Sequence, residues 1–117
     1  AVYNAEWSLG MGGSIACGAR HLPALCDGVL VGVCDQWLLG REDLDGLIAS
    51  WRAAPKRIHA ACWQEGAAHV SGPPVIFPAR LRGDLRGLDK RRGARQIIDR
   101  YIDRVEFVDT PGAALDL

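Results

Sequence analysis

Residues 27–37, DGVLVGVCDQW, carry a run of small and β-branched apolar residues, Val29 to Cys34, straight into an ionisable side chain, Asp35. A carboxylate at the end of an apolar run has two readings. It is a turn residue or helix cap, or it is a ligand for Mg²⁺, a hard cation that takes carboxylate oxygens together with substrate phosphates. Upstream, Gly10, Met11, Gly12, Gly13 and Ser14 stand just ahead of a helical pattern. Glycines at a helix entry let backbone N–H groups approach a nucleotide, and the helix start favours its negative charge. The plainer reading is a helix entry with Ser14 as its cap. Further on, nine basic residues between Arg80 and Arg104 face Asp84, Asp89, Asp99 and Asp103. They form either a solvated helical face or a basic rim around an anionic ligand.

These groups need elements to hold them. Residues 13–22 place Ile15, Ala19 and Leu22 on one helical face, with Pro23 as the stop. Residues 28–34 predict a strand apolar on both faces, as in a parallel strand covered by helices. From Arg41, Leu44, Leu47, Ile48 and Trp51 recur at helical spacing, with Glu42 and Asp43 in the first turn. RIHAACW and PPVIF are strands joined by a glycine-containing turn. RGARQIIDRYID is a further helix, and RVEFVDT a last strand. Such alternation predicts a three-layer α/β domain whose ligands bind outside the carboxyl ends of the strands. Asp35 is expected there, at the end of a central parallel strand facing a cleft, with Gly10 to Ser14 forming a loop on the same side.

Composition sets the outer bounds. The chain of 117 residues is 49% hydrophobic and carries formal net charge zero, enough for one domain with one sizeable core. A neutral chain without aromatics interleaved in its basic stretch argues against nucleic acid. No apolar run approaches membrane-spanning length. Cys17, Cys26, Cys34 and Cys62 form no CxxC pair and no zinc-like spacing with histidine, which favours reduced thiols in a cytoplasmic protein.

Five ordered stretches, NAEWSLGMGGSI, DGVLVGVCDQW…REDLDGLI, GPPVIFPARLRGDL, RGARQII and PGAALDL, resemble the later part of the molybdenum cofactor cytidylyltransferase family, which includes molybdopterin-guanine dinucleotide synthases. The resemblance implies a Rossmann-like nucleotidyltransferase domain over residues 1–117, its sheet mostly parallel and truncated at the N-terminus. It also implies transfer of CMP or GMP from CTP or GTP to a molybdopterin-like anionic substrate, with Mg²⁺ as cofactor. Asp35 and Gln36 match the family's Gly-Asp-Gln-Pro motif, which makes Asp35 the catalytic metal ligand and places Gln36 at the substrate. Asn4, Trp7, Gly10, Met11 and Ser14 match a second segment, giving Gly10, Met11, Gly12 and Ser14 to the nucleotide. Gly72 and Pro73 stand where the family has Gly-His-Pro beside the substrate, the histidine lost. Arg95 matches the arginine of Gly-Asp-x-Gly-Ala-Arg. Asp116 corresponds to the start of Asp-Ile-Asp-Thr-Pro, a second metal ligand or else a chain terminus.

The family's Gly-rich loop and lysine for the triphosphate have no counterpart in this sequence. The expectation is therefore a fragment or truncated relative that alone shows little turnover. It would dimerise or associate with a missing N-terminal segment. The alternative is a degenerate, non-catalytic module that binds a nucleotide or a protein.

Overall fold

The computed structural model describes residues 10–33, 36, 38–89 and 92–114. Helix α1, Met11–Ala19, opens from Gly10, whose φ of 139° and ψ of 162° belong to a region open in practice to glycine alone. The expected loop at residues 10–14 is thus a helix entry. Gly10 occupies the cap position, Ser14 lies inside the helix, and no side chain caps it. Gly12, Ala16 and Ala19 form the buried stripe at helical spacing. The helix ends ahead of Pro23, at Ala19, with turn bonds from Arg20 N–H to Ala16 O and from His21 N–H to Gly18 O.

Strand β1, Gly28–Val31, leads to helix α2, Arg41–Ala53. Strands β2, Ile58–Glu65, and β3, Ala68–Pro78, make a hairpin turning at Gly66, whose φ of 59° suits glycine. The short helices α3, Arg82–Arg86, and α4, Arg95–Arg100, precede strand β4, Val105–Asp109, and a 3-10 turn follows at Pro111–Ala113.

The sheet order is β1-β3-β2-β4. β2 and β4 pair in parallel, while β3 is antiparallel to both β1 and β2. Strands β1, β2 and β4 therefore share one direction, as an α/β domain requires, but two of three neighbouring pairs are antiparallel. This corrects the expected setting of the first strand. β1 has β3 as its single neighbour among the described residues, so it is an edge rather than a central parallel strand.

It is also shorter than its apolar run. Val31 pairs with Val75, and the next positions along β3 are Pro74 and Pro73, which have no N–H to donate. The β2–β3 ladder breaks at the same place, where Ala60 faces Val75 but Ala61 faces Gly72. One ladder stops and the other slips register at the same pair of prolines.

Helices cover both faces. Ile58, Ala60, Val75 and Phe77 pack with Ala16, Leu85 and Ile97 beneath α1, α3 and α4. On the other face His59 bonds to α2, and Ala61 and Trp63 pack with Ala113. Three layers result.

Candidate functional site

The breaks at Pro73 and Pro74 lie where β1 ends, α1 begins and α4 begins. A cavity of about 150 Å³ opens there, lined by Met11, Val31, Gly72, Pro73, Gly93 and Arg95 among others. Four residues expected at a nucleotide or its acceptor, Met11, Gly72, Pro73 and Arg95, thus share one wall. Gly72 lies against the Trp63 ring, which an added Cβ would approach to 3.2 Å. Gly93 lies beside Met11, whose Sδ would make an ordinary 3.5 Å contact with an added Cβ.

Arg95 stands at the rim. One Nη donates to Ser71 Oγ at 2.9 Å and the other donates to the Ser71 carbonyl. The guanidinium is therefore held by a single residue of β3 through two acceptors.

Other expected residues have different surroundings. Ser14 lines a second cavity of about 380 Å³ between α1 and β1, with Ile15, Leu30 and Val31 in its walls and Met11 shared between the two spaces. Gly12 is buried, and a Cβ on it would run into the carbonyl oxygens of Asp89 and Arg92. Its missing side chain thereby admits the Asp89 and Arg92 backbone. Gln36 is also buried; its Nε2 donates to Pro73 O at 2.6 Å and to Ala113 O at 2.8 Å. Those bonds tie the chain beyond β1 to β3 and to the 3-10 turn, and they leave Oε1 buried without a partner among the described residues. Asp35 and Asp116 lie outside the described residues.

The basic stretch divides. Arg80 donates to Lys56 O, Arg82 to Pro23 O and Ala24 O, and Arg86 to Ala19 O. Arg100 pairs with Asp84 at 3.1 Å. These guanidiniums hold loops and helices together. Arg95 is the one of the five that lines the Gly72–Pro73 cavity.

Sequence reasoning missed a third space. Cys62, His69, Val70, Ser71 and Phe107, from β2, β3 and β4, surround about 400 Å³. Burial raises the Cys62 thiol above its ordinary value, and the negative charge of Asp109 raises it further. Cys62 faces Ser71 across one ladder and Asp109 across the other. Period-two alternation along the hairpin was the available signal, because it puts Cys62, His69 and Ser71 on one face.

Among the described residues no three His, Cys, Asp or Glu side chains gather to hold a metal ion. A hard cation needs several oxygens, so these residues alone do not form a Mg²⁺ site. The orphaned Gln36 Oε1 is an acceptor of the right kind, next in the chain to Asp35.

A family profile described as "MobA-like NTP transferase domain" matches residues 1–105. The chain belongs to the MobA-like NTP transferase domain family. Mycothiol acetyltransferase from Actinosynnema mirum is 36% identical to this MobA-like chain over 103 residues, a match that takes in 82% of the chain and 34% of that protein. The chain thus spans about a third of the length of that relative. The α/β architecture of the MobA-like domain is the one its alternating pattern predicts. None of its described helices is long and apolar enough to cross a membrane.

Proposed function

We propose that this MobA-like domain serves nucleotidyl transfer, moving CMP or GMP from CTP or GTP onto a terminal phosphate of a molybdopterin-like acceptor in the cytoplasm. An acceptor phosphate oxygen attacks the α-phosphorus, the bond to the bridging oxygen of the β-phosphate breaks, and pyrophosphate leaves with the electron pair. The convergence of Met11, Gly72, Pro73 and Arg95 on one cavity, drawn from three elements, carries this reading. Catalysis of this kind is mostly orientation and charge stabilisation. In this scheme Arg95 orients an anionic group at the rim, and the Gly72–Pro73 backbone, free of a bulky side chain at Gly72, lets the substrate approach closely. Asp35, joined by Asp116, would hold Mg²⁺, whose chemistry is to neutralise charge developing on phosphate oxygens.

Release of pyrophosphate from CTP or GTP with Mg²⁺ and acceptor tests the proposal. The measurement is made on the chain alone and on the chain fused to a Gly-rich phosphate loop bearing a lysine. Turnover should appear or rise on fusion, Asp35→Asn should remove most of it, and Arg95→Ala should raise KM for the anionic substrate. Undiminished turnover by Asp35→Asn would sink the metal assignment.

The packing of Gly12 and Gln36 against the chain's own carbonyls favours a second reading, a non-catalytic module that binds a nucleotide or a protein. Nucleotide binding by the fused chain without any pyrophosphate release would select it. The relative's name describes acetyl transfer; acyl-transfer assays on this chain would show whether any of that activity resides in the matched third.

A further inference from the structure

We infer that Ser71 is a positioning residue for anion recognition. It seats the Arg95 guanidinium at the mouth of the Met11–Gly72 cavity so that the remaining edge of the fork meets a phosphate or pyrophosphate group. The inference rests on the reading of Arg95 as the anion-binding side chain.

An arginine side chain has enough rotatable bonds that an exposed guanidinium wanders, and ordering it on a ligand costs rotamer entropy. Ser71 lowers that cost in advance. Its Oγ and its carbonyl oxygen each accept from a different Nη, which fixes the plane of the fork as well as its place. Two of five guanidinium N–H donors are used in this way.

The seat itself is firm. Ser71 sits in register with Cys62 on β2, and Gly72 beside it lies against the buried Trp63 ring. The two partners line different spaces, Ser71 the cavity of Cys62, His69 and Phe107 and Arg95 that of Gly72 and Pro73. An anion therefore meets Arg95 from the side of the Met11–Gly72 cavity, with Ser71 behind the guanidinium. Threonine at this position keeps both acceptors; alanine keeps the carbonyl alone.

Inorganic pyrophosphate is titrated calorimetrically into the 117-residue chain and into Ser71→Ala, Ser71→Thr, Arg95→Ala and the Ser71→Ala/Arg95→Ala double variant, with thermal midpoints measured alongside. Ser71→Ala should weaken binding about three- to tenfold, the cost of ordering one rotamer-rich side chain on the ligand, with its midpoint unchanged. Ser71→Thr should restore the wild-type affinity. The double variant should bind no more weakly than Arg95→Ala, because a positioning residue has nothing left to position. Unchanged binding by Ser71→Ala, or a Ser71→Ala loss that persists in the Arg95→Ala background, overturns the role of Ser71 and leaves Arg95 as the anion ligand. Full affinity in Arg95→Ala, or no binding by the unaltered chain, overturns the reading of Arg95 and the inference with it.

Discussion

His59 is fully buried and uses both ring nitrogens, with Ser50 Oγ 2.8 Å from Nδ1 and Ala54 O 2.7 Å from Nε2. A carbonyl only accepts, so Nε2 carries the proton and Nδ1 accepts from the Ser50 hydroxyl. Ser50→Ala strands Nδ1 in a dry interior and should cost about 1–3 kcal/mol, read by urea denaturation. Cys62 carries a different prediction. Burial first, and Asp109 second, push its thiol up. A raised thiol makes its contribution to stability below the unfolded thiol's ordinary value, and that contribution is lost as pH rises through the folded one. Iodoacetamide should therefore label folded Cys62 more slowly at about pH 8 than the same thiol in urea-unfolded chain, since the thiolate is the nucleophile. Asp109→Asn should speed the folded reaction. Equal rates in folded and unfolded chain would count against the shift.

Elements are placed by what they cannot do as much as by what they can. Pro73 and Pro74 cannot donate to a ladder, and the site forms where the β1–β3 ladder consequently stops and the β2–β3 ladder shifts register. Gly12 matters for a similar reason. Because a Cβ there meets two backbone carbonyls, which cannot step aside as a flexible side chain would, Gly12→Ala should cost about 1–3 kcal/mol and displace Asp89 and Arg92 from α1. Hydrogen exchange at Asp89 and Arg92 would report it. The α/β order, the hairpin turning at Gly66, and the helix of Leu44, Leu47 and Trp51 were legible in the sequence, because period and turn chemistry are local. The antiparallel edge setting of β1 was not, since nothing in GVLV says which strand lies beside it. Met11, Gly72, Pro73 and Arg95 were legible through motif resemblance, whereas Ser71 depends on a side chain twenty-four positions away and has no local mark.

Over the whole molecule the two faces of the sheet are unequal. The face under α1, α3 and α4 holds most of the buried apolar residues, with Phe77 among its fully buried side chains. The opposite face adds a small cluster around Ala61, Trp63 and Ala113. Phe77→Ala should therefore cost about 3–5 kcal/mol and unfold the domain globally. Trp63→Phe removes the indole N–H bond to Glu65, 3.0 Å long, and part of the support under Gly72. It should disturb the site more than the fold, as near-native urea stability with weakened pyrophosphate binding would show.

The strand order also dictates a sequence of events in synthesis. β1 leaves the ribosome before β2, yet its neighbour among the described residues is β3, so the pairing of Val29 and Leu30 waits until Phe77 and Ile76 have emerged. Closing that long loop takes conformational entropy before any contact returns it. The β2–β3 hairpin can zip on its own, but the first strand must wait for it and then add to its far edge. A nascent chain halted between the two strands of the hairpin displays an unpaired apolar segment, the kind of surface that chaperones shield and proteases find.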